Sequence, residues 1–338
     1  MRKKTTVVVV GHGSRVGQAN AEFEAFVDRF RGDVPAHELI PAYVELAQPD
    51  VKTALKRAAL TSDQVFVLPF FLFAAGHVKN DLPLAVAAAR REFPDVKFHV
   101  ATPLGVHPNM ARLAAARIDE TAQSLNKEKG KTSVLMIGRG CSDPDANSDF
   151  CKLVRLIEET SPYARVDYCF LAIVKPKIVD ALDRLLRDAP DAVIVQPYLL
   201  FPGQLVQQIE ELMIPYAKRY PWISIKVSKT LGEDPLIFDL LKERLTDAVS
   251  GGKTLPCDNC QYRVPLNTLH DKVGGLNSLL WSIRHSFTHT QAMPHRHAHA
   301  PIKKHVLVCG NIDCADQGSI RLLETLRQLV KERGLEKQ

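Results

Sequence analysis

The sequence predicts an α/β protein of two tandem parallel-sheet lobes with a cleft between them, followed by a less ordered C-terminal tail. Three observations carry this expectation. Two short apolar runs each end at paired glycines, Val7-Val8-Val9-Val10-Gly11-His12-Gly13 and Val134-Leu135-Met136-Ile137-Gly138-Arg139-Gly140. Strand-like and helix-period segments alternate along the chain. The second half also repeats the first at a nearly constant offset of 127 residues, as Gly11 and Gly138 show.

Taken in order, Val7 to Val10 is strand one, since a run this short, apolar throughout and closed by glycine fits a strand buried on both faces. Gln18 to Phe30 follows as a helix, with Phe23, Phe26, Val27 and Phe30 at the spacing of one face. Ile40 to Leu46 is strand two and Val51 to Leu60 a helix. Val65 to Phe71 is strand three and Leu82 to Phe93 a helix. Lys97 to Ala101 is strand four, and the helix Pro108 to Leu125 ends before the polar stretch Asn126 to Lys131.

In the second half Asn20 finds its match in Asn147, Phe23 in Phe150, Pro49 in Pro176, Gly76 in Gly203 and Pro108 in Pro235. The expected organisation is a first lobe over 1–127, a second over 131–250, a linker over 251–304 and a strand–helix segment over 305–338.

Composition narrows the function classes. The 338 residues are 46% hydrophobic, enough for at least one full core. The apolar run after Met1-Arg2-Lys3-Lys4 is too short for a signal-peptide core, and no segment approaches a membrane span, so a cytoplasmic protein is expected. Seven cysteines, an odd number, read as thiols or metal ligands rather than a disulfide framework. The net charge of +6 is dispersed among acidic residues, which disfavours nucleic acid as a partner and suits a small polyanion.

The halves differ where chemistry would sit. His12 aligns with Arg139, Glu45 with Ala172 and His77 with Gln204, so the ionisable set belongs to the first half alone. In a flavodoxin-like strand order, strand one lies between strands two and three, and the carboxyl edge of such a sheet is where ligands bind. His12, Glu45 and His77 would then share one edge. Two imidazoles and a carboxylate are a workable donor set for a divalent transition metal with open positions. A dinucleotide site at Gly11-His12-Gly13-Ser14-Arg15-Val16-Gly17 is the weaker alternative, because the spacing departs from G-x-G-x-x-G and a histidine occupies the place of pyrophosphate approach.

Val10-Gly11-His12-Gly13-Ser14-Arg15, the tract Leu68-Pro69-Phe70-Phe71-Leu72-Phe73 leading to Ala75-Gly76-His77 and Asp81, and the internal repeat together resemble the sirohydrochlorin chelatases. These are class II chelatases, and the resemblance covers roughly residues 5 to 250. It implies two flavodoxin-like, chelatase-like lobes around a tetrapyrrole cleft and insertion of a divalent metal into sirohydrochlorin with release of two pyrrole protons. It assigns His12 and His77 as metal-binding and catalytic histidines, with Glu45 added as a carboxylate ligand or proton acceptor. No organic cofactor is implied, and the duplication makes a monomer sufficient. Because sirohydrochlorin carries eight carboxylates, Arg15, Lys79 and Arg139 are candidate anchors, with ordinary solvated charges as the alternative.

The tail holds Cys257-Asp258-Asn259-Cys260 and histidines at 270, 285, 289, 295, 297, 299 and 305. Cys257, Cys260, His295, His297 and His299 are candidates for accessory metal capture, with an unstructured linker as the alternative. Long cobalt-inserting relatives have a similar region, which tilts the metal toward cobalt over iron, with nickel third. From His305 onward, Val306 to Cys309 reads as a strand and Ser319 to Arg333 as a helix. The segment resembles the start of a thioredoxin-like [2Fe-2S] ferredoxin, but Cys309 and Cys314 alone cannot complete a four-thiolate cluster. Iron insertion and a non-enzymatic metal-storage or metallochaperone role stand as the alternatives to cobalt insertion.

Overall fold

The computed structural model describes residues 5–15 and 17–251. Cys257, Cys260, Cys309, Cys314 and the histidines from 270 to 305 lie outside the described residues, as do the expected strand and helix after His305.

The first half runs β1 (Thr5–Gly11), α1 (Gly17–Asp33), β2 (Glu38–Tyr43), α2 (Val51–Thr61), β3 (Gln64–Pro69), α3 (Leu82–Glu92), β4 (Lys97–Val100) and α4 (Pro108–Leu125). The second runs β5 (Thr132–Gly138), α5 (Pro144–Thr160), β6 (Arg165–Phe170), α6 (Ile178–Arg187), β7 (Ala192–Pro197), α7 (Gln204–Arg219), β8 (Ser224–Val227) and α8 (Pro235–Val249). The strands form two parallel four-stranded sheets, in the orders β2-β1-β3-β4 and β6-β5-β7-β8. The expected placement of strand one between two and three is what the structure has. Among the described residues no helix is long and apolar enough to cross a membrane.

The apolar runs explain the layers. Val7 and Val9 point into one core while Val8 and Val10 point into another, so β1 is buried on both faces by the period-two alternation of a strand. Val134 and Met136 share the core of Val7 and Val9, whereas Leu135 and Ile137 face a third core with α6 and α7. The inner faces of the two sheets therefore join in one apolar mass, filled by Phe26 and Phe30 of α1, Met110 and Leu113 of α4, Phe150 of α5 and Leu240 of α8. Both sheets belong to one compact unit.

The halves are also interlocked through their last helices. α4 packs on β7 and β8 of the second sheet, and α8 packs on β3 and β4 of the first. Two equivalent arginines secure the exchange. Arg117 donates to the Thr230 and Leu231 carbonyls at 3.3 and 3.0 Å, and Arg244 donates to the Pro103 and Leu104 carbonyls at 3.1 and 3.0 Å. Each guanidinium bonds two carbonyls of the loop that follows the last strand of the other half.

Most element ends shift by one to three residues, and two of the shifts bear on the site. Strand two stops at Tyr43 rather than Leu46, because the chain turns there and Leu46 adopts φ 63°. Strand three stops at Pro69 rather than Phe71. Glu45 accordingly belongs to a loop beyond the strand.

Candidate active site

The site lies at the carboxyl edge of the first sheet, built by the turns after β1, β2 and β3. Gly13, at φ 92°, permits the close approach of two of these turns, since a Cβ there would fall 1.8 Å from the Glu45 carbonyl oxygen. The Glu45 amide donates to the His12 carbonyl at 3.1 Å, tying the two residues together through the backbone. His77 comes from the third turn, at the start of a single π-helical turn, His77–Asp81, that runs into α3.

The side-chain amide of Asn20, in the first turns of α1, holds the histidine turn in place. It accepts from the Ser14 amide at 2.9 Å and donates to the Ser14 carbonyl at 2.8 Å. Asn147 makes the same pair of bonds to Cys141, at 3.1 and 2.8 Å. A side chain carrying both a donor and an acceptor is needed for this, which accounts for asparagine at both copies.

The His12 Nε2 lies 3.4 Å and the His77 Nε2 3.8 Å from Glu45 Oε1. The two imidazoles meet edge to face, with centroids 4.8 Å apart. One ligating atom from each residue falls within 4.8 Å of the others, the only such group of three among the described residues. All three side chains are about one-third exposed, at 32%.

The tautomers follow from the partners. His12 Nδ1–H donates to the Gly13 carbonyl at 3.2 Å, and His77 Nδ1–H donates to Asp81 Oδ2 at 2.7 Å. A carbonyl and a carboxylate only accept, so each Nδ1 carries a hydrogen and each Nε2 faces Glu45. Asp81 received no role of its own from the sequence. The signal for it was present, because His77 and Asp81 are four residues apart and such residues meet on one helical face.

Its surroundings shift His12 toward the neutral form. Its pKa is pushed below the usual imidazole value by burial first, then by His77 and Arg139, and these outweigh the opposing pull of Glu45 and the Gly13 carbonyl.

The candidate anchors are placed differently from one another. Arg139 is exposed and reaches the site, its Nη1 lying 3.5 Å from His12 Nε2. Lys79 bridges the halves, its ammonium 2.7 Å from Asp143 and 2.8 Å from Asp145. Burial works against its charge, but the two carboxylates prevail and hold its pKa above the ordinary lysine value. Arg15 is exposed on the turn beyond Gly13.

His12 and His77 open onto a cavity of about 250 Å³ between the carboxyl edges of the two sheets. Its wall is largely apolar and aromatic, with Phe73 stacked on Tyr198 at 5.7 Å and Phe150 beside them. Sequence reading recognised Phe73 and Phe150 as landmarks without seeing that they form this wall. The arrangement could hold a metal through two nitrogens and one oxygen with positions left open, beside a largely apolar cavity.

Comparison with known proteins accords with this geometry. One family model, CbiX, matches the chain twice, at residues 6–121 and 133–248. A sirohydrochlorin cobaltochelatase of Priestia megaterium is 33% identical over 77% of this chain and 85% of its own length. A sirohydrochlorin ferrochelatase of Bacillus subtilis is 26% identical over 74% of this chain and 94% of its own. Among solved structures, SirB from Bacillus subtilis with Fe3+ superposes with a TM-score of 0.65 at 25% identity, covering 73% of this chain and 96% of that one. With the family model spanning both halves, the chain belongs to the CbiX family of class II chelatases.

Proposed function

We propose that this protein inserts a divalent metal, cobalt in preference to iron, into sirohydrochlorin with release of two protons, as a step of cobalamin formation. The convergence of His12 Nε2, His77 Nε2 and Glu45 Oε1 at the mouth of an apolar cavity carries this reading. Three donors hold the ion weakly enough to surrender it and leave positions for pyrrole nitrogens. As those nitrogens take the metal, two N–H protons must leave, and the freed imidazoles and carboxylate are the nearest acceptors. One chain carries both halves, so a monomer is sufficient.

Cobalt is supported by the Priestia megaterium cobaltochelatase at 33% identity and by the cysteine and histidine content of residues 257–305. Iron is the second reading, supported by the Bacillus subtilis ferrochelatase at 26% identity. Raw affinity follows the Irving–Williams order whatever the protein requires, so the two are separated by rates.

The test is to mix the protein with sirohydrochlorin and, separately, cobalt, ferrous iron or nickel, and to follow the absorption of the metallated product. Insertion faster than the metal-plus-tetrapyrrole blank, with cobalt ahead, is expected. His12→Ala and His77→Ala should each abolish the acceleration while leaving the fold intact, and deletion of residues 257–305 should change only the metal concentration required. Unchanged turnover in both histidine variants would overturn the site. No acceleration with any metal, together with tight stoichiometric uptake, would favour the storage or metallochaperone alternative.

A further inference from the structure

We infer that Leu46 and Ile173 are a pair of apolar jaws on opposite rims of the cleft, gripping the tetrapyrrole macrocycle while its ring centre meets the metal. The inference rests on the chelatase reading and adds the contacts that hold the ring. It begins from two backbone outliers. Among the described residues four that are not glycine have positive φ, and Leu46 at 63° and Ile173 at 59° are the large apolar ones. Left-handed backbone is disfavoured for any residue with a Cβ, and most for a β-branched one such as Ile173. The Val174 amide donates to the Ala172 carbonyl at 2.7 Å, closing a three-residue turn around Ile173 that is rare and strained.

Both side chains are also exposed, Leu46 at 43% and Ile173 at 57%. Strain combined with exposure has no structural return, since neither side chain fills a core. Their neighbours behave oppositely, Ala47 and Val174 each packing against the joint core. The chain thus turns one residue in and forces the preceding one out, twice, at equivalent positions of the two halves. Such strain persists where surroundings over-determine it, and it clusters at ligand clamps.

Their location names the occupant. Leu46 directly follows Glu45, and Ile173 directly follows Ala172, whose amide donates to the Arg139 carbonyl at 2.9 Å. Arg139 in turn reaches His12. Leu46 is thus one residue from the donor cluster, and Ile173 holds the equivalent place in the other half, beside the turn that carries Arg139. A tetrapyrrole is a wide disc with apolar faces and carboxylates at its edge, and its centre must come to that cluster to receive the ion. Aliphatic side chains on the two rims suit the faces of that disc, leaving the edge for charged groups.

Glycine is the informative substitution, because it removes the side chain and relieves the strain together. Affinity for sirohydrochlorin is read directly from its optical change on binding, alongside KM, kcat and thermal midpoint, for Leu46→Gly, Ile173→Gly and the double variant. Each single change should weaken tetrapyrrole binding and raise KM roughly threefold to tenfold, with the double approaching the product. kcat at saturation and cobalt affinity without tetrapyrrole should hold, and the thermal midpoint should stay level or rise. Leu60→Ala, at an exposed helix position away from the cleft, should change nothing. A double variant that binds as tightly as the parent, or a midpoint that falls with each glycine, overturns the jaws. A parent protein that binds sirohydrochlorin without metallating it overturns the chelatase reading and leaves the binding comparison decisive.

Discussion

Arg139 Nη1 lies 3.5 Å from His12 Nε2, so equivalent positions of the internal repeat, 127 residues apart, meet at a single site. Among the described residues the repeat brings together one group of candidate metal ligands, with a cation at 139 where its twin position has an imidazole. A guanidinium beside that imidazole nitrogen would oppose a dication held there and attract carboxylates. In Arg139→Ala, cobalt affinity measured without tetrapyrrole should rise severalfold, while KM for sirohydrochlorin should also rise. Arg139→Lys should fall between the two. Cobalt titrations that superimpose for parent and Arg139→Ala would refute this account.

Asp81 fixes the tautomer of His77 through its 2.7 Å bond and stands its charge behind any cation held on the far nitrogen. Outer carboxylates of this kind are typically worth about 10- to 100-fold in metal affinity. Asp81→Ala should cost that much. Asp81→Asn, which retains an acceptor oxygen but no charge, should cost less. Equal cobalt affinities across the three proteins would show that His77 is oriented by packing alone.

The Asn20 and Asn147 amides offer a comparison inside one molecule. Asn20→Asp and Asn147→Asp each lose a donor and set a carboxylate against a carbonyl oxygen, at about 1–3 kcal/mol of stability, read by chemical denaturation. Only Asn20 clamps the turn that carries His12, so cobalt affinity should fall in Asn20→Asp and hold in Asn147→Asp. A common loss in both would mean that the effect is global.

These residues show where sequence reading succeeds. The valine run of β1 dictated a strand buried on both faces, and the shared register of Gly11 with Gly138 made the second sheet a copy of the first. His12, Glu45 and His77 were legible as a group because parallel strands put the ends of β1, β2 and β3 on one edge. What escaped was long-range. Nothing local in Arg117 or Arg244 says that each reaches into the other half, and nothing in Phe73 says that it stacks on Tyr198. The exchange of α4 and α8 depends on how two sheets face each other, which periodicity along one chain does not encode.

Acid sensitivity follows from histidines outside the site. His37 is pushed below the usual imidazole value of 6.5 by burial, and His99 by burial, Arg90 and Lys97. His107 is lowered by burial first, with Arg244 and Arg112 assisting and Glu243 opposing. At all three the folded protein binds protons less readily than the unfolded chain. Below pH 6.5 the unfolded state therefore gains protons that the folded state refuses, and stability falls with pH until the lowered folded values are reached. Above 6.5 these groups contribute no slope. Unfolding free energy from denaturant titrations should be flat between about pH 7 and 8 and decline toward about pH 5.5. His99→Gln should flatten part of that decline, at some cost in the stacking of His99 on Phe66 at 5.1 Å. A stability profile that rises on acidification through this window would contradict the assignment, since it would require these histidines to be favoured in their charged form by the fold.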